Sequence, residues 1–118
     1  QMKAGRRPRV FKAGEQKRDF VYIKDVVAMT IQALHAPRSA VYNCGSGQPV
    51  SFNEVIAELN KDLGTDFAPD YFDNPYAFYQ PHTEADLTLA KTELGYAPKY
   101  PPATGIADYV AALEGRSL

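Results

Sequence analysis

Lys17-Arg18-Asp19-Phe20-Val21-Tyr22-Ile23-Lys24-Asp25-Val26 is the stretch that decides how this 118-residue chain reads. A charged cluster leads into a run of β-branched and aromatic residues, which predicts a strand over 17–24. Asp25 then stands where it can cap a helix whose Val26, Val27, Met29, Ile31, Ala33 and Leu34 are apolar on most of the surface. Such a helix is expected to be buried, and Pro37 to end it.

Working outward, Val41-Tyr42-Asn43-Cys44 predicts a second strand running into the turn Gly45-Ser46-Gly47. Ser51-Phe52-Asn53-Glu54 has the form of a capping box, followed by Val55, Ile56, Leu59 and Leu63 at helical spacing and Gly64 as a left-handed stop. Residues 65–82 carry Phe67, Tyr71, Phe72, Tyr76, Phe78 and Tyr79, broken by Pro69, Pro75 and Pro81, and predict an extended, loop-like segment. Thr83-Glu84-Ala85-Asp86 resembles another capping box, opening a helix with Leu87, Ala90 and Leu94 inward and Gly95 as its stop. After Pro98, Pro101 and Pro102, a last helix is expected from about Thr104, with Ile106, Tyr109, Val110 and Leu113 on one side. The fold class is α/β, with a few short strands and several helices.

Composition narrows the partners. With 45% hydrophobic and 23% charged residues the chain reads as an ordinary globular protein, and its net charge of −1 argues against a dedicated nucleic-acid binder. The charge is uneven: residues 1–24 hold eight basic and two acidic residues, a local +6. Such an excess can draw in phosphate-bearing ligands, while Lys3 to Arg9 also reads as a solvated, frayed arm. A single cysteine, Cys44, has no internal disulfide partner, and no apolar run approaches the roughly 18 residues of a membrane span. A cytoplasmic setting with no membrane partner is expected.

Arg18 is the first candidate for chemistry: a guanidinium at the mouth of a strand offers a planar donor fork matched to phosphate oxygens. A surface ion pair with Asp19 or Glu15 is the plainer reading. Asn43-Cys44-Gly45-Ser46-Gly47 lacks the third glycine of a dinucleotide fingerprint, since position 50 is Val50, and reads as a tight strand-to-helix turn. The run Tyr76-Ala77-Phe78-Tyr79-Gln80-Pro81-His82 has rings and hydroxyl tips suited to stacking a base or bonding a sugar, or equally to plugging a gap between helices. No catalytic set is present: there is no G-x-S-x-G, P-loop or Y-x-x-x-K, the nearest case, Tyr96 to Lys99, being one residue short. Two histidines, His35 and His82, cannot make a multi-histidine metal site.

Three segments taken together, Lys17 to Val26, Val41 to Gly47, and Ala85-Asp86-Leu87 through Leu94-Gly95-Tyr96, resemble the C-terminal third of extended short-chain dehydrogenase/reductases. Within that superfamily, Phe78-Tyr79-Gln80-Pro81-His82-Thr83-Glu84-Ala85-Asp86-Leu87-Thr88 is most similar to the ADP-glyceromanno-heptose 6-epimerases. The resemblance implies that residues 1–118 form the sugar-nucleotide-binding C-terminal region of a longer, homo-oligomeric epimerase, whose Rossmann domain lies outside this chain. Gln1 ahead of Met2 fits a start within a longer protein. The implied reaction inverts C6 of an ADP-heptose, a lipopolysaccharide-core precursor, by transient hydride removal to NADP (or NAD). The cofactor and the catalytic tyrosine and lysine would be held upstream, so no catalytic, cofactor-binding or metal residue is expected here and the chain alone would be inactive.

By position in the family, Arg18 would hold the nucleotide phosphates, Tyr79 would touch the substrate, and Phe11, Lys12, Ala13 and Gly14 would line the nucleotide. Two departures stand out: family members often carry arginine where this chain has Phe78, and the link from Phe11 to Arg18 is one residue shorter than the family spacing. In that superfamily these segments are woven into a larger sheet, so Val41 to Cys44 is expected to lack a strand neighbour here. Other members of the superfamily, epimerases or dehydratases acting on UDP-, dTDP- or GDP-sugars, share the motifs outside the aromatic loop, and a non-catalytic sugar-nucleotide-binding module would share the binding residues. All of these readings require Arg18 and the Tyr79 loop to meet in space.

Overall fold

A computed structural model describes residues 1–115; the last three residues of the expected 1–118 region lie outside the described residues. Two small sheets and three α-helices make up the frame. Strand β1 (Arg9–Phe11) pairs in parallel with β4 (Asp70–Phe72), and β2 (Lys17–Arg18) pairs antiparallel with β3 (Val50–Ser51). Helices α1 (Ile23–Ala33), α2 (Phe52–Leu63) and α3 (Pro102–Leu113) are joined by a π-helical turn, Ala90–Leu94, and preceded by a 3-10 turn at Met2–Ala4. Helix α2 packs along α3, with Ile56 and Val110 among the buried side chains, while α1 leans on the π turn.

Local chemistry explains most of the boundaries. Ser51 and Glu54 form the expected capping box: the Glu54 amide donates to Ser51 Oγ at 3.1 Å and the Ser51 amide to Glu54 Oε2 at 2.6 Å. Gly64 stops α2 at a positive φ of 66°, where a side chain would be strained. The second expected capping box is absent. Asp86, not Thr83, closes the turn, accepting from the Thr88 amide at 2.9 Å, so regular helix begins only after Leu87. Helix α3 starts earlier than expected, at Pro102, because proline at the first helical position sacrifices no hydrogen bond.

The strand expected over 17–24 shrinks to Lys17–Arg18, and α1 begins at Ile23 with Tyr22 as its cap residue. Asp25 does not cap it. Its buried carboxylate instead accepts the amides of Lys99 (2.8 Å) and Tyr100 (3.0 Å), fastening the segment before α3 onto α1. Lys24 and Tyr22 both reach Asp108 on α3, the lysine at 2.6 Å, and the Lys24 ammonium holds that carboxyl below the usual range.

Asp19 ties three separate segments together. One oxygen accepts the Ser46 amide and hydroxyl, each at 2.7 Å; the other accepts the amides of Gly47 and Ala85, each at 3.1 Å. Burial pushes its acidity the other way, but these donors outweigh it and hold the carboxyl below its ordinary value. Behind this knot, Met29, Leu87, Ala90 and Tyr96 form a small core. The Tyr96 hydroxyl donates to the Gly45 carbonyl at 2.6 Å, and burial drives its phenol far above the ordinary range.

The whole is a slab of 47 × 42 × 16 Å with a radius of gyration of 16.4 Å, where about 13.5 Å is usual for a compact domain of this length. A slab this thin leaves faces bare. Ile23, Val27, Ile31 and Leu34 recur along one side of α1 and are exposed, so the expectation of a buried helix fails on that side; Met29 is covered, as is the Asp25 carboxylate. The strand expected at Val41 to Cys44 is absent: the segment has no ladder partner among the described residues, and Val41 is 89% exposed. On α3, Val110 points inward with Gly105, Asp108 and Ala111, whereas Tyr109 and Leu113 lie outside. The N-terminal arm is not frayed: Met2 is buried, Lys3 Nζ donates to the Leu113 carbonyl, and Arg7 bonds the carbonyls of Ala68 and Pro69.

Ile56→Ala is expected to cost about 2–4 kcal/mol by emptying a buried position of α2, against under about 1 kcal/mol for the exposed Ile31→Ala, measured by urea unfolding. Asp19→Ala is expected to cost about 2–3 kcal/mol at pH 7 through its orphaned donors. Because the folded Asp19 carboxyl titrates below its unfolded counterpart, its contribution is complete above about pH 4 and lost as pH falls further. The acid slope of stability should therefore flatten in Asp19→Ala, and an unchanged slope would remove Asp19 from this role.

Candidate functional site

Three backbone pairings bring the candidate residues to one edge of the slab. The β1–β4 register sets Arg9 beside Asp70 and Phe11 beside Phe72, so the alternate residues of both strands share a face. Beyond β1 the chain reverses at Gly14, whose amide donates to the Phe11 carbonyl at 2.8 Å and whose φ is +76°. It returns as β2. Lys17 is then held from both sides: it faces Ser51 of β3, its amide donates to the Pro81 carbonyl (2.8 Å), and its carbonyl accepts the Thr83 amide (3.1 Å). That second pairing delivers residues 79–83 alongside Arg18.

The side chains complete the meeting. The Arg18 guanidinium carbon lies 4.7 Å from the centre of the Tyr79 ring, within cation–π range. The Phe11 ring meets Phe72 at 4.9 Å, Tyr79 at 5.3 Å and Tyr76 at 6.0 Å, all edge to face. Arg9 stacks over Phe72 at 4.3 Å, and Phe78 stands out at 80% exposed. The requirement that Arg18 and the Tyr79 loop meet is satisfied, with Phe11 joining them.

Arg18 makes neither of the carboxylate pairs that the sequence allows. One Nη donates to the Lys17 carbonyl at 2.7 Å, and among the described residues its other donors have no protein acceptor. Asp19 is occupied by Ser46, Gly47 and Ala85. A half-buried guanidinium on an aromatic ring, with donors to spare, is equipped to grip two oxygens of an anion such as a phosphate. The remaining candidates differ in kind: Lys12 is paired with Asp73 at 2.9 Å, Ala13 presents its carbonyl to Asn53, and Gly14 is buried against that asparagine. His82 sits beside Glu84 at 3.4 Å.

Sequence reasoning missed Arg9, Phe72 and Asn53. The period-two spacing of Arg9 with Phe11 and of Asp70 with Phe72 was a faint strand signal, but each run is three residues long and lies among prolines. Asn53 was hidden inside the capping box. Among the described residues no group of three or more His, Cys, Asp or Glu side chains is placed to hold a metal ion, and no helix is long and apolar enough to cross a membrane.

Residues 1–45 match the sequence model of the NAD dependent epimerase/dehydratase family. Among solved structures, ADP-L-glycero-D-manno-heptose-6-epimerase of Helicobacter pylori is 39% identical over 95% of this chain and 34% of its own, with a TM-score of 0.85. UDP-glucose 4-epimerase of Thermotoga maritima, solved with UDP-glucose, is 29% identical over 95% of this chain and 36% of its own, with a TM-score of 0.86. UDP-glucuronic acid 4-epimerase of Bacillus cereus, solved as a Y149F mutant with UDP-4-deoxy-4-fluoro-glucuronic acid and NAD, is 28% identical over 95% and 37%, with a TM-score of 0.82. The chain thus spans about a third of the length of the structures it matches. Its mixed α/β fold matches part of a Rossmann-type short-chain dehydrogenase/reductase epimerase, and the chain belongs to the NAD dependent epimerase/dehydratase family.

Proposed function

We propose that this chain is the C-terminal, nucleotide-sugar-gripping region of an epimerase acting on ADP-glyceromanno-heptose. The observation that carries the reading is the Arg18 guanidinium lying over Tyr79 with donors left over. A diphosphate joining adenosine to a sugar needs a cationic fork and flat apolar faces close together, and Arg18, Tyr79 and Phe11 supply both. The 39% identity to a heptose epimerase favours the ADP-heptose over the UDP-sugars bound by the structures at 28–29% identity.

In this reading Arg18 holds the diphosphate, Tyr79 contacts the substrate, and the Phe11-Lys12-Ala13-Gly14 turn borders the nucleotide. When bound, the nicotinamide, which we take to be NADP, supplies a transient acceptor for the hydride leaving C6. The present residues act by binding and orientation. Gripping the remote diphosphate fixes the sugar so that its reacting carbon is presented in one place, which lowers the entropic cost of reaction without any catalytic group here.

In the intact enzyme Arg18→Ala is expected to weaken ADP-sugar binding by about 1.5–3 kcal/mol, with Arg18→Lys recovering only part because an ammonium cannot form the fork. An unchanged dissociation constant by calorimetry would count against the phosphate role. ADP-glyceromanno-heptose, at about 100 times its dissociation constant, is expected to stabilise the intact enzyme by about 2.7 kcal/mol in thermal unfolding. Protection by UDP-glucose and none by the ADP-sugar would transfer the assignment to a UDP-sugar enzyme.

A further inference from the structure

Asn53 stands at the second position of α2, and its backbone and side chain make three hydrogen bonds with the turn that follows β1 and with β4. Its backbone amide donates to the Gly14 carbonyl at 3.0 Å, and its Nδ2 donates to the Ala13 carbonyl at 3.0 Å. Its Oδ1 accepts the Tyr71 hydroxyl from β4 at 2.7 Å. Gly14 packs so closely that a β-carbon there would come within 2.1 Å of Oδ1. The same turn is closed from inside by Gln16, whose Nε2 reaches the Phe11 carbonyl at 3.3 Å.

The contacts to Ala13 and Gly14 fall between the two candidate arms, and the Tyr71 contact ties them to β4. Phe11 precedes the turn and meets the Tyr79 ring edge to face; Arg18 follows it and lies over the same ring. Asn53 itself cannot drift, because the Ser51–Glu54 capping box anchors the start of α2 and Ser51 is paired with Lys17, the residue before Arg18. The asparagine is suited to the task by its chemistry: its amide gives a donor to one carbonyl and an acceptor to one hydroxyl at the same time, which neither aspartate nor alanine can do.

We propose that Asn53 is a positioning residue for the nucleotide-sugar site, clamping the 12–16 turn onto α2 and thereby fixing the separation of Phe11 and Arg18. This rests on the reading of Arg18 and Tyr79 as the nucleotide-sugar grip. Asn53 acts through the turn and contacts none of the ligand.

The test uses the intact enzyme with ADP-glyceromanno-heptose as probe, dissociation constants by calorimetry and unfolding midpoints measured in parallel. Asn53→Ala is expected to weaken binding about tenfold, and Tyr71→Phe, which deletes a single hydroxyl and leaves the ring, about two- to threefold. In an Arg18→Ala background the Asn53→Ala effect is expected to shrink to within about twofold, since the group being positioned is gone. Unchanged affinity in both Asn53→Ala and Tyr71→Phe, alongside weakened binding in Arg18→Ala, overturns the clamp and leaves the site standing. A full tenfold loss persisting in the Arg18→Ala background also overturns it, as the mark of a merely structural role. Unchanged affinity in Arg18→Ala overturns the site itself.

Discussion

One carboxylate organises this protein. Asp19 gathers the 45–47 turn and the chain at Ala85 into a single knot, and in doing so leaves its neighbour Arg18 without an acidic partner. The two facts are linked physically, because a carboxylate saturated by four donors has no reason to swing toward an adjacent guanidinium. The arrangement also explains why Gly45 has no side chain: a β-carbon there would lie 2.5 Å from Asp19 Oδ2 and 2.7 Å from the Ala85 methyl. Where a turn, a loop and a strand converge on one small anion, the backbone has to come close.

What the sequence disclosed was mostly local. The Ser51–Glu54 capping box, the Gly64 and Gly95 stops and the turn at 45–47 were readable because each is decided by residues within a few positions of one another. The pairing of β1 with β4 was not, since it joins residues about sixty positions apart through three-residue strands. Asp25 misled for a related reason. It has the composition of a cap, yet its partners are the amides of Lys99 and Tyr100, which no local pattern announces. The exposure of α1 escaped because an apolar helix says how much surface it wants covered and nothing about which chain segment does the covering.

The candidate site shows the same division. Arg18 could be singled out by its place at a strand mouth, and Tyr79 by the density of rings around it, but their meeting depends on Lys17 being paired on both edges at once. Phe11, Lys12, Ala13 and Gly14 were grouped together from family position; in space they separate into a ring that touches Tyr79, a lysine tied to Asp73, and a turn gripped by Asn53. The signal for Asn53 was absent from its own neighbourhood because the groups it binds lie forty residues earlier, at Ala13, and eighteen later, at Tyr71.

The segment between Phe72 and Pro81 is pinned at each end by main-chain pairing, to β1 at one side and to Lys17 at the other, while between those points it follows no ladder or helix. Its span is therefore a cassette: the anchors are made of peptide groups, which are common to every residue type, and the interior is free to vary in composition without disturbing them. A lineage could refit this span with different rings and charges, while the framework that carries it, knotted at Asp19, went on unchanged.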